Sequence, residues 1–372
     1  MPEMVPHGTL DFRELAEWGY EPADLFVFSS NINPYGPPPS VIRTVADSID
    51  GATIALYPDR LSLRLREKLA EHHGIPPESI LVGNGTADIL FLLAVVFLRG
   101  KKVAILSPTF GEYANAANVV GVNADQIAIP GWRRRADGTY HPYEGQTTRQ
   151  SEVARTARAL GELAPDVVFI CNPNSPTGEH WTPSEVETLM AAAPQALWII
   201  DEAYRAFAPE PWSATSWCLE RKMVVLHSMT KDFALGGLRL GYAAAPPGIV
   251  AALADAQPPW NVNALAQIAG EACMNELEWR KETTARLRKD TQDLRSGLTD
   301  LGYAPRPTTA NYMLVPVADP ADLRQTLLGR KIVVRDCTSF GLPSFIRLAT
   351  QRPKDNQFLL DTLADLAQPN EI

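Results

Sequence analysis

An α/β fold built on a largely parallel sheet, followed by a smaller α+β domain, is what this sequence predicts, and three observations carry the prediction. Between residues 54 and 245, seven short β-rich runs alternate with segments of helical periodicity, the spacing of parallel strands joined by crossover helices. The 372 residues suffice for about two domains, each able to bury a core. Apolar residues make up 45% and charged residues 21%, a balance that fits a packed globular chain and not a disordered or fibrous one.

The strand runs are 80–83, 103–107, 126–130, 167–171, 197–201, 223–227 and 238–244, giving a mostly parallel seven-stranded sheet covered on both faces. Among the helices, Leu61, Leu65 and Leu69 recur at i+4 before Gly74, and Thr86 with Asp88 opens the apolar run 89–98. That run ends at Arg99, far short of the roughly 20 residues of a membrane span, and reads as a buried helix. After Pro259 one long helical stretch reaches about residue 298, and 312–317, 332–335 and 345–349 read as strands of the smaller domain. Helices are expected near 319–328 and at the C-terminus. The division drawn is an N-terminal arm over 1–40 packing with the small domain, a large domain over 41–250, and an interdomain helix with the small domain over 251–372. The run Arg133-Arg134-Arg135 reads as a solvated loop.

A formal charge of −9 supplies no field to draw in nucleic acid or anionic lipid. Four scattered cysteines with no C-x-x-C pair argue for free thiols in a reducing compartment and against a zinc site, so a cytoplasmic protein without a metal is expected. No secretory signal is expected either, since MPEMVPHGTLDF has no basic segment followed by an apolar one.

Ligands of open α/β sheets collect at the carboxyl ends of the strands, so the residues following each run carry the most information. Asn84-Gly85-Thr86 before a helix reads either as a capped turn or as an anion cradle. Asp201-Glu-Ala-Tyr204 ends an apolar strand with a carboxylate, either a cap or a ligand for a cationic partner. Ser228-Met-Thr-Lys231, with Arg239 eight residues on, reads as a stabilised surface pair, as two cations for a phosphate, or as a lysine able to form a Schiff base with an aldehyde.

Together with Pro108-Thr-Phe110, Asn172-Pro-Asn-Ser-Pro-Thr-Gly178, Gly237-Leu-Arg239 and Phe345-Ile-Arg347, these segments resemble, in order and spacing, the fold-type-I pyridoxal-phosphate enzymes of the class I/II aminotransferase family from about residue 25 onward. The resemblance implies the aspartate-aminotransferase-like fold and pyridoxal 5'-phosphate as cofactor. It implies that Lys231 holds the cofactor and shuttles protons, that Asp201 pairs with its ring nitrogen, and that Tyr204 reaches its phenolic oxygen. Phe110 would stack on the ring, while Gly85, Thr86, Ser228 and Arg239 would hold the phosphate. Tyr57 resembles the tyrosine that reaches the neighbouring subunit's phosphate, implying a homodimer with shared sites. The family has asparagine where Ser175 stands, with Asn174 beside it to help contact the cofactor and substrate.

Within the family the likeness is greatest to a branch acting on phosphorylated amines, the threonine-phosphate decarboxylases and histidinol-phosphate aminotransferases. It rests on His7-Gly8, Ser30-Asn-Ile-Asn-Pro34, Pro259-Trp-Asn-Val-Asn263, Ala310-Asn-Tyr312 and Val334-Arg-Asp-Cys337. Arg347 would clamp the substrate carboxylate and Arg335 a second anion, with His7, Asn33 and Asn174 completing the substrate contacts. His7-Gly8 and Pro259-Trp260 point to the decarboxylase, and with it to the aminopropanol branch of cobalamin synthesis, ahead of histidinol-phosphate transamination. Thr9 departs from that pattern, standing where a second glycine is usual.

Overall fold

The computed structural model describes residues 10–367. Its strands are β1 (Phe26–Val27), β2 (Ile80–Gly83), β3 (Val103–Ser107), β4 (Asp125–Ala128), β5 (Trp132–Arg134), β6 (Tyr140–Pro142), β7 (Val167–Cys171), β8 (Leu197–Asp201), β9 (Met223–Ser228), β10 (Gly241–Ala244), β11 (Tyr312–Pro316), β12 (Ile332–Val333), β13 (Arg335–Asp336) and β14 (Phe345–Ala349). Seven of them form one sheet in the order β2-β10-β9-β8-β7-β3-β4. Every pairing is parallel except those of β10, which runs antiparallel to both β2 and β9. Alternation assigns the two faces: Val168, Ile170, Trp198, Ile200 and Val225 enter one apolar layer, and Val167, Phe169, Leu197, Ile199 and Val224 the other. In β7, β8 and β9 no position faces water, which is why these runs are mostly apolar.

The small sheet, in the order β11-β14-β13, is antiparallel, and β1 pairs parallel with β12. Phe28 thus packs with Leu294, Met313 and Ile346 in a separate core. The long helix Leu277–Asp300 leads into this layer.

Several expectations change. The long stretch after Pro259 is two helices, Ala264–Cys273 and Leu277–Asp300, interrupted at 274–276. The last strand of the large sheet begins at Gly241 because Arg239 takes a positive φ of 59°, which a strand cannot contain, and its N–H bonds back to the Leu235 carbonyl at 3.2 Å. The run 332–335 divides between two sheets. Arg133 is no solvated loop residue: it lies in β5, and its two Nη groups donate to the buried Glu152 carboxylate at 2.7 Å each. The helix Gly85–Leu93 continues into a π turn over Ala94–Leu98, with Leu90, Leu93 and Leu98 buried but Phe91 and Val95 on the surface. All four cysteines are unpaired and buried. Among the described residues no helix is long and apolar enough to cross a membrane.

Candidate active site

The carboxyl ends of β8 and β9 open into a cleft of about 550 Å³. At its floor is Asp201, the last residue of β8. Its Oδ2 accepts from the Tyr113 hydroxyl at 2.8 Å and its Oδ1 from the Ala203 N–H at 3.0 Å. Burial pushes this carboxyl's pKa up, while those two bonds and the Lys231 ammonium pull it back. Glu202, the next residue, points the opposite way, as strand alternation requires, and is bonded to Ser213 and the Ala214 N–H.

Lys231 lies in the turn after β9, half-buried, its Nζ 5.7 Å from the centre of the Tyr204 ring. The turn is held from outside. The Asn33 N–H donates to the Lys231 carbonyl at 2.9 Å and its amide to the Asp232 carbonyl at 3.0 Å. Within the turn the Ser228 and Thr230 hydroxyls share a 2.6 Å bond. Tyr204 packs edge-on against Tyr312, 4.9 Å between ring centres, and its oxygen accepts from Asn31 at 3.3 Å.

Gly85 starts its helix at φ +78°, and a Cβ there would come within 2.8 Å of Arg239 Nη2. Only glycine lets the guanidinium lie across the helix N-terminus. Thr86, Phe110, Ser175 and Ser228 line the same cleft as Asp201, Tyr204, Lys231 and Arg239.

Arg347 on β14 and Arg335 on β13 are paired directly across the small sheet, and both are buried. Arg347 donates from Nη1 to Ser175 Oγ at 3.0 Å and from Nη2 to the Ser29 carbonyl at 2.9 Å, while its buried Nε has no protein partner. Arg335 donates to Ser339 Oγ at 2.7 Å. Burial, together with the charge of Arg347, lowers the Arg335 pKa to about 10.

Two expected residues are turned to other partners, and Tyr57, expected at a neighbouring subunit's site, lies on the surface. Asn174 turns its amide into its own loop, accepting from Thr109 at 2.6 Å and donating to the Pro108 carbonyl and the Thr177 hydroxyl at 2.8 Å each. Asn33 is committed to the Lys231 turn. Tyr57 is 77% exposed and stacks on Trp260 with 4.4 Å between ring centres, away from the cleft. His7 lies outside the described residues. Sequence reasoning passed over Tyr113, Thr230 and Asn31. Tyr113 lies in the first turn of the helix Glu112–Val119, and its ring meets that of Phe110 edge-on at 5.6 Å.

The family described as aminotransferase class I and II matches the chain over residues 23–363. A threonine-phosphate decarboxylase of Salmonella typhimurium is 33% identical over 361 residues, covering 94% of this chain and 93% of that protein. A histidinol-phosphate aminotransferase of Symbiobacterium thermophilum is 30% identical over 344 residues, 91% of this chain and 90% of that protein. The solved histidinol-phosphate aminotransferase of Sinorhizobium meliloti, in complex with pyridoxal 5'-phosphate, shares the fold at a TM-score of 0.76 and 22% identity, covering 91% of this chain and 89% of that one.

The cleft's own groups fit that cofactor. The hydrogen-bond donors to the buried Asp201 carboxylate are both neutral, which leaves it suited to a protonated ring nitrogen. The Gly85 cradle under Arg239 suits a phosphate, and the Lys231 amine suits an aldehyde.

Proposed function

The chain belongs to the aminotransferase class I and II family and is a pyridoxal-phosphate-dependent enzyme; from that premise we propose that it decarboxylates L-threonine O-3-phosphate. The observation that carries this reading is the facing pair of buried arginines, Arg347 and Arg335, of which Arg347 bonds the cleft-lining Ser175. A substrate with a carboxylate at one end and a phosphate at the other offers one anion to each guanidinium. The threonine-phosphate decarboxylase relative supports the same choice.

When bound, the cofactor supplies an electron sink for the bond broken at the substrate's Cα. In this reading the chain's own residues do the rest. Lys231 would hold the cofactor through its aldehyde and would carry protons to and from the substrate's Cα. Asp201 keeps a proton on the ring nitrogen, Tyr204 donates to the phenolic oxygen, and Phe110 covers one ring face. The N–H groups at Gly85 and Thr86, with Ser228 and Arg239, hold the phosphate. Arg347 would hold the substrate carboxylate and, by fixing its direction, would select the bond at Cα that breaks.

A second reading, transamination of histidinol phosphate with 2-oxoglutarate, draws support from the relatives of that name. In either case Tyr57, Ile54, Leu56, Leu61 and Leu63 form an exposed apolar region suited to a second copy of the chain, with Tyr57 serving the partner's cofactor phosphate. The unpaired cysteines fit a cytoplasmic location.

The test gives the holoprotein L-threonine O-3-phosphate, and separately histidinol phosphate with 2-oxoglutarate, and follows carbon dioxide and glutamate. Carbon dioxide from the first without glutamate from the second is the expected result. Glutamate from the second alone overturns the decarboxylase reading in favour of the transaminase.

A further inference from the structure

The hydroxyl of Ser175 sits where the cofactor-facing and substrate-facing parts of the cleft meet. Its oxygen receives a proton from Arg347 Nη1 at 3.0 Å. The Tyr312 hydroxyl beside it spends its single proton on the Asn174 carbonyl at 3.0 Å, so between the two hydroxyls only Ser175 has a proton to give. Arg347, Ser175, Tyr312 and Asn174 are all buried, where such bonds are strengthened by the low dielectric. An asparagine at this position accepts with its oxygen and donates with its nitrogen at once, serving a guanidinium and a cofactor ring together. A serine has a single proton to donate, and here the Tyr312 oxygen, its own proton spent on Asn174, stands beside Ser175 to take it while Ser175 accepts from Arg347.

We propose that Ser175 is a positioning residue for Arg347, holding the guanidinium ready for a substrate carboxylate, and does not serve the phenolic edge of the cofactor ring. That edge is left to Tyr204. Asn31 donates to the Tyr204 oxygen, so the phenol keeps its own proton free for the ring. The Ser29 carbonyl restrains Arg347 from its other Nη, and with the unpartnered Nε the guanidinium retains N–H groups to offer an incoming anion.

The inference rests on the reading of Lys231 and Arg347 above, and its test separates the two. Holoenzymes of the wild type, Ser175→Ala, Ser175→Thr and Ser175→Asn are compared by the pH midpoint of the cofactor's absorbance and by spectral titration with three ligands. L-threonine O-3-phosphate and L-glutamate carry an α-carboxylate; O-phosphoethanolamine does not.

Ser175→Ala is expected to leave the absorbance midpoint where it is. It should weaken both carboxylate ligands about tenfold and leave O-phosphoethanolamine unchanged, with Ser175→Thr restoring the wild-type affinities. Ser175→Asn adds a donor to the ring and should lower the midpoint. A midpoint that moves by about a unit in Ser175→Ala while carboxylate affinity holds overturns the inference and leaves the functional reading standing. A wild-type chromophore that responds to neither amino acid overturns the functional reading, and this inference with it.

Discussion

On the large-sheet side of the cleft, Asp201 and Lys231 stand at strand ends, each fixed by neutral hydrogen bonds from neighbouring turns. On the small-sheet side, Arg347 and Arg335 come from strands paired side by side, two like charges held together in a buried layer. The first side is organised by hydrogen bonds from nearby backbone and hydroxyl groups. The second sets two guanidiniums side by side, and burial with the charge of Arg347 lowers the Arg335 pKa. The comparison teaches that the chemistry of the site is prepared by hydrogen bonding and its selectivity by the placing of paired cations.

The largest effects should come from the first side. Lys231→Ala should lose the cofactor's absorbance band and lower turnover by at least about 10³-fold, measured with the cofactor supplied in excess. Asp201→Asn keeps the shape but removes the charge facing the ring nitrogen, and kcat should fall by roughly 10²–10³-fold while the protein still retains cofactor on a desalting column. A kcat within a few-fold of wild type would break the comparison, since the buried carboxylate would then be structural.

Stability should also divide the two sides, beginning with the layer behind Asp201. Burial lowers the pKa of His73 to about 3 and of His72 to about 4, and takes His227 well below its ordinary value. These groups are neutral in the fold and titrate near 6.5 once unfolded, so the unfolded chain binds more protons below that pH. The stability they contribute is whole above pH about 6.5 and is lost as pH falls toward their folded values. Burial raises Glu202 to about 7, which opposes this between its ordinary value and 7, but one carboxyl faces three imidazoles. Urea unfolding should therefore show stability falling from pH 7 to pH 4, with a shallower slope in His73→Phe whatever that variant's absolute stability.

The smallest effect belongs to the second side. Arg335→Met should change the stability of the ligand-free fold by less than about 1 kcal/mol, because loss of its bond to Ser339 is offset by removal of a like charge beside Arg347. Marked destabilisation would show that Arg335 is a structural cation.

The same comparison marks how far the sequence could be read. The large sheet was legible because β7, β8 and β9 are short and begin with apolar, largely β-branched runs that end in or beside polar residues. Asp201 and Ser228 close such strands, Tyr204 and Lys231 follow three residues on, and the structure gathers them in one cleft. Arg347 and Arg335 were legible as arginines, but not as direct neighbours, because strand register is set by tertiary packing. Asn174 and Asn33 were assigned to ligands through the segments that carry the family resemblance. Their amides instead satisfy loop backbone and hydroxyl groups, a demand that shows only once the turns are folded. Arg133 read as solvated because its partner, Glu152, is 19 residues further along the chain.

The most direct test of the central claim, that two arginines read two anions, is a spectral titration of wild-type, Arg347→Met and Arg335→Met holoenzymes with L-threonine O-3-phosphate, L-threonine and O-phosphoethanolamine. Arg347→Met should weaken the two carboxylate ligands by roughly 10–100-fold and spare O-phosphoethanolamine, while Arg335→Met should weaken the two phosphorylated ligands and spare L-threonine. Both substitutions weakening the same ligands, or Arg335→Met changing none of them, would contradict it.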